Sequence, residues 1–173
     1  MANVTQPINK NFLSQVGFQF NIKKLPAVNF FVQSVNLPGI EMGFSYQDTP
    51  FVNIPIAGDH IKYNDLTVTF KVDEDMSNYI QVSDWIIGLG FPDSFDQFKS
   101  LKEINQLSGE GIVSDASLII TTSARNPSIE VQFLDIFPRS LTDLVFTTTD
   151  NTLEYLAATA TFKYRRHIIK RLQ

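Results

Sequence analysis

Few residues in this chain could carry chemistry. It has two histidines, His60 and His167, and no cysteine. His60 follows Asp59 in a glycine-containing segment, and Ser45 is the nearest upstream serine. A Ser-His-Asp arrangement depends on geometry. No G-x-S-x-G elbow accompanies it, so His60 reads as a loop histidine at a surface or interface. Asp73, Glu74 and Asp75 form an acidic run. Such carboxylates could serve sugar hydrolysis or hold a cation. Neighbouring side chains at a strand end point apart, however, and neither EF-hand spacing nor its glycine is present. The better reading is negative charge placed at the positive end of a helix.

Two glycine pairs complete the inventory. Gly88-Leu89-Gly90 closes a helical pattern instead of opening one, which excludes a dinucleotide fingerprint. Gly109-Glu110-Gly111 lacks the Lys-Ser/Thr of a phosphate loop. Aromatic residues do not interleave with basic ones as in a single-strand binder. No catalytic residue, metal site or cofactor is expected.

The elements around these residues are mostly strands. Leu66, Val68, Phe70 and Val72 alternate with Thr67, Thr69 and Lys71, the period of a strand with one wet face. A helix is expected over 77–88, with Tyr79, Val82, Ile86 and Leu89 on one stripe and Ser77 as N-cap. Trp85 belongs to its core side. Gly88, Gly90 and Pro92 end it. Phe18, Phe20 and Ile22 mark a first strand, and Val28 to Val35 a second. With a turn at Pro26 these two are expected to pair as a hairpin. Ala116–Ile120 and Ile129–Phe133 form another hairpin around Arg125-Asn126-Pro127. Phe137-Pro138 is expected to end that strand. Leu144–Thr148 and Leu156–Tyr164 are expected to pair through a turn near Asp150-Asn151. The stretch 93–111 is loop-like, with a short helix possible at Phe95, Phe98, Lys99 and Lys102.

Residues 40–60 stand out as a long extended excursion. Pro55 points to an edge strand or projecting arm. Met42, Phe44, Tyr46, Phe51 and Ile54 are too apolar for a solvated loop, so the segment is expected to cover something or be covered by a partner.

The bulk numbers fit one domain. A chain of 173 residues can bury one sizeable core. Fifteen phenylalanines favour a β-rich interior or an apolar interface. No apolar run approaches the ~20 residues of a membrane span, and MANVTQPINKNF has no signal core. Synthesis in a reducing cytoplasm is expected, with no membrane partner. Lys163, Arg165, Arg166, Lys170 and Arg171 crowd the last eleven positions, where no acid lies, which leaves a net charge of −9 on residues 1–162. An acidic body disfavours generic nucleic-acid binding. The basic end suits an acidic partner, including another copy of the chain, or is simply a solvated terminus. The expected organisation is a mobile arm at 1–15, one β domain at 16–165 and a basic extension at 166–173.

About seven strands with one helix inserted midway suggest a β-sandwich or small barrel with the helix on its flank. Leu37-Pro38-Gly39, Ile54-Pro55-Ile56-Ala57-Gly58-Asp59, Tyr63-Asn64-Asp65-Leu66-Thr67-Val68-Thr69-Phe70, Asp73-Glu74 and Asp84-Trp85 occur in an order that resembles the tail-tube proteins of contractile-tailed bacteriophages. The closing strand, Leu156 to Tyr164, is similar as well. The resemblance implies a non-enzymatic virion protein, made in the host bacterium. Six copies form a ring, inner sheets join into a barrel, and rings stack into a tube through which double-stranded DNA passes without specific binding. Sheath, baseplate and tail-terminator proteins are the implied partners. Tube-initiator proteins of the baseplate resemble the closing strand too, so an initiator or terminal ring is the alternative. A monomeric β-sandwich ligand-binding module is the alternative of another class. Within the resemblance, Met42, Phe44, Tyr46, Phe51, Ile54, Pro55, Asp59 and His60 are expected at contacts between subunits or rings. Arg165, Arg166, Lys170 and Arg171 are expected at a basic interface.

Overall fold

A computed structural model describes residues 12–13, 15–90, 92–99, 112–148 and 155–172. Its elements in chain order are β1 (Phe18–Ile22), α1 (Pro26–Phe30), β2 (Val32–Val35), β3 (Ile40–Gln47), β4 (Ile54–Tyr63), β5 (Leu66–Lys71), α2 (Ser77–Gly90), β6 (Ser114–Thr121), β7 (Pro127–Leu141), β8 (Ala157–Lys163) and β9 (Arg166–Arg171). The expected class, mainly antiparallel β with a flanking helix, is the one found. None of the helices described is long and apolar enough to cross a membrane.

Alternation builds the main sheet. Leu66, Val68 and Phe70 on β5 and Ala158, Ala160 and Phe162 on β8 are all buried, with polar or small residues between them. The register sets Val68 against Ala160 and Phe70 against Ala158, a large side chain beside a small one, while Leu66 lies against Phe162. Strand order is β1-β6-β7-β8-β5-β2, with β9 alongside β7. Buried residues from β1, β5, β6, β7, β8 and α2 form one cluster, so the sheet curls around a single core.

The long strand β7 makes the corner. Its first half pairs with β6 and β9 and its second half with β8. Asp135 sits at the switch with φ 55°, where its N–H donates to the Asp115 carboxylate (3.3 Å). The opposite strand bends at the same level: Arg165 N–H donates to Leu134 O (3.0 Å), and the Arg165 guanidinium meets Asp135 at 2.8 Å. Strands that change sheets do so through such bulges. Phe137-Pro138 therefore does not end the strand. Pro138 pairs with Phe162, followed by a register shift, and a bulge is a place where a proline is tolerated.

Three other expectations are corrected. Val28 to Val35 is not one strand: Pro26 opens α1 at a position that suits its fixed φ. Nor do β1 and β2 pair, because β1 joins β6 and β2 joins β5. Asn29 of α1 stands in for the missing strand partner. Ile22 N–H donates to Asn29 Oδ1 (2.8 Å), and Asn29 Nδ2 donates to Ile22 O (3.0 Å). Finally, residues 144–148 form no strand, and β8 lies between β5 and β7. The expected turn at Asp150-Asn151, most of the 1–15 arm, Lys102 and Gly109-Glu110-Gly111 lie outside the described residues.

Helix α2 packs Val82 and Trp85 on the core, and Trp85 Nε1 donates to Ile112 O (3.1 Å). Ser77 is not its cap. Asp73 does that work: its carboxylate accepts Ser77 Oγ–H and Asn78 N–H. The Ser77 hydrogen bond, helped by those backbone donors, lowers the Asp73 pKa below its ordinary value. Of the acidic run, Asp73 is thus a helix-start feature. A helical turn covers residues 95–99.

Candidate assembly surface

The excursion after β2 is a two-stranded ribbon that stands apart from the main sheet. β3 and β4 pair from Ile40↔Tyr63 at the base to Gln47↔Ile54 at the tip. At ~3.3 Å per residue the ribbon reaches about 25 Å. It is longer than the expected 40–60, since β4 continues to Tyr63. The pairs Ile40/Tyr63, Met42/Ile61, Phe44/Ala57 and Tyr46/Pro55 share one face by register. That makes an apolar stripe, and nearly all of it is exposed. Phe44 and Tyr46 meet edge to face at 5.3 Å. Phe51 at the tip is 97% exposed. Sequence reasoning placed Met42, Phe44, Tyr46, Phe51, Ile54 and Pro55 here, and the structure brings them together on one arm. It passed over Ile40, Val52, Ile56 and Ile61, which are also exposed; the alternation from Ile40 to Tyr46 would have found the first.

A hairpin in water is marginal by itself, and this one is fixed at its base. Asn64 N–H donates to Gly39 O (3.0 Å). Asn36 Nδ2 donates to Asp65 O (3.0 Å), and Thr67 N–H donates to Asn36 Oδ1 (2.6 Å). Tyr63 packs on Tyr164 (5.7 Å) and His167 (5.2 Å). His167 is buried and bonds Tyr164 Oη through Nδ1 at 3.3 Å. Burial lowers the His167 pKa below its ordinary value and raises that of Tyr164 to about 12.

Asp65 closes the clamp. Its carboxylate accepts from Lys163 of β8 and from Arg139 of β7 (2.7 Å). The Lys163 hydrogen bond is the main reason its pKa is lowered, with Arg139 adding to it against a burial cost. A depressed carboxyl pKa stabilises the fold above the unfolded value, and the contribution disappears as pH falls through the folded value. Asp65→Asn is therefore expected to unfold at lower temperature than the wild type at pH 7. The gap should close as pH drops below the ordinary value of 3.8. Thermal melts across pH 2–7 measure it; a gap independent of pH would refute the clamp.

The ribbon crosses itself at two glycines. A Cβ on Gly58 would lie 2.5 Å from Gly43 O and 2.7 Å from its carbonyl carbon. Both are backbone atoms and cannot step aside. The register shifts here, with residues 58–60 set against Gly43, and such bulges increase twist. Gly58→Ala should re-aim the outer arm and leave the core alone. The expected result is an unchanged melting temperature with assembly reduced at least tenfold, read by light scattering.

Asp59 and His60 lie in this bulge. Their side chains bond each other at 2.5 Å and both are 91% exposed. Ser45 pairs with Ile56, further toward the tip. A fully hydrated pair has no burial to activate it, so the site offers contact chemistry and no triad. Among the described residues no group of three or more His, Cys, Asp or Glu could hold a metal ion.

The basic end folds back as β9 along β7, instead of extending past the closing strand. Arg165 is tied to Asp135, and Lys170 Nζ donates to Gln132 Oε1 at 2.7 Å. Arg166 and Arg171 are exposed on the same strand.

No family model matches the chain, and no curated protein matches it by sequence. Solved structures do. A chain in the cryo-EM structure of the anti-feeding prophage cap, described as the AFP tube terminating cap, is 16% identical with a TM-score of 0.64, covering 99% of both chains. A chain in the sheath-tube complex of an extracellular contractile injection system, PVC, in its extended state, is 17% identical with a TM-score of 0.60, covering 94% of each. One in the anti-feeding prophage baseplate is 11% identical with a TM-score of 0.54, covering 96% of each. At these identities the likeness establishes the fold, and the tube-protein fold is the one the resemblance implied.

Proposed function

We propose that this chain of tube-protein fold is a structural, non-enzymatic subunit of a contractile injection particle, and that it forms the closed ring at an end of the tube. One observation carries the reading: an apolar arm about 25 Å long, locked at its base by Asp65 and Tyr63 and left exposed by the described residues of its own subunit. Such a surface is a liability on a monomer and an interface in an assembly. The cap and baseplate likenesses, which span the whole chain, support a terminal or initiating position. The repeated tube subunit is the second reading, supported by the likeness to the sheath-tube complex. In a phage tail the lumen would pass DNA, and sheath, baseplate or terminator proteins would be the neighbours; these belong to the same proposal.

Sedimentation of the purified chain separates the readings. A terminal ring gives one discrete species near six times the 19.6 kDa chain mass. A repeated subunit gives a broad distribution of much larger particles. A stable monomer at high concentration, with stabilisation by a sugar or peptide, would favour a binding module instead.

A further inference from the structure

We propose that the groove between β1 and β2 receives the arm tip of a neighbouring copy, with Phe51 as the inserted side chain. This rests on the ring-forming reading above and names the surface that the arm meets. The strands β1 and β2 are the two ends of the main sheet, so each has an edge that continues no further among the described residues. The turn and α1 lie between these ends, and Asn29 bridges to the end of β1, through both backbone groups of Ile22 and through Nδ2 donating to Asn21 Oδ1 (2.5 Å). Between them lies a groove of about 640 Å³ with Phe18, Phe20, Phe30 and Val32 on its walls and Asn21 and Gln33 among its polar groups. Phe30 is 84% exposed beside it. Among the described residues no charged side chain lines it.

The arm tip matches this chemistry. Residues 49–54, TPFVNI, carry no charge. Thr49 Oγ1 both donates to Val52 O and accepts from Val52 N–H, which preshapes the tip and leaves Phe51 projecting. A preformed aromatic anchor seated between aromatic and aliphatic walls is the usual centre of a tight contact, and the groove's uncharged amides (Gln19, Asn21, Asn29, Gln33) leave hydrogen-bonding groups for the tip backbone. The extended backbone around it can pair with a strand edge. Donor and acceptor are different patches of the same chain, so the contact is head-to-tail and propagates from copy to copy until a ring closes.

The absence of native cysteine makes the test clean. Asn53→Cys marks the tip while keeping Phe51, and Gln33→Cys marks the groove; both positions are exposed. The two single variants are mixed and treated with a short bismaleimide. The expected product is a cross-linked dimer in the mixture and none from either variant alone. Adding Phe51→Ala to the tip variant should lower the yield about tenfold or more. Dimers from Asn53→Cys alone would mean that tip meets tip. No cross-link from variants that still form rings would mean that the tip seats elsewhere. Either result overturns the groove and leaves the ring reading standing. Absence of any self-association overturns both.

Discussion

A chain in which residues 41–62 are replaced by Asn-Gly, so that Ile40 turns directly into Tyr63, is expected to fold as a monomer and form no ring. Asn-Gly closes a two-residue hairpin with the twist that flanking strands need, and Ile40 and Tyr63 already pair. Tyr63 keeps its contacts with Tyr164 and His167, and Asp65 keeps its two cations. No residue from 40 to 62 belongs to the core cluster. The melting temperature should therefore stay within about 2 °C, the scale of a surface change. The arm's large apolar side chains are roughly half exposed, so covering one yields about 1 kcal/mol. Their total is comparable to the ~4–15 kcal/mol cost of association. One arm contact alone is marginal, and a closed ring that repeats it is stable. Removing the arm thus abolishes assembly outright. Normal rings from the shortened chain would show that the arm has another use.

Phe162→Ala is expected to do the reverse. Phe162 is fully buried on β8, against Trp85 of α2 at 6.4 Å between ring centroids. Truncating a core phenylalanine costs about 3–5 kcal/mol, which for a chain of this length lowers the melting temperature by roughly 10–15 °C. The arm is anchored to neighbouring strands and survives as long as the sheet does. Below the new melting point rings should still form. Calorimetry and sedimentation on both variants test the pair: one loses assembly and keeps stability, the other loses stability and keeps assembly. A single defect shared by both would mean that arm and core are one cooperative unit.

Local pattern made some elements legible and long-range contact hid others. β5 and α2 were readable because their burial follows strict periods of two and of three to four. The arm was readable because Pro55 and a run of exposed apolar residues are incompatible with an interior strand. Val28 to Val35 misled because Val28, Phe30 and Val32 alternate as a strand would. Asn29 overrides that pattern by bonding both backbone groups of Ile22. Pro138 misled because proline ordinarily ends pairing, yet here it sits at a bulge on the strand that turns the corner. The clamp on the arm was invisible for a simpler reason. Asp65 just before β5, Arg139 on β7 and Lys163 on β8 are far apart in sequence, and only the fold brings them within reach. Arg165 and Lys170 looked like a free basic surface, but each already holds an internal partner.

The central claim, that this chain closes into a ring through its arm, is tested most directly by negative-stain electron microscopy of the purified protein. Uniform sixfold rings that do not lengthen into tubes are predicted. A field of single subunits at the same concentration would contradict it.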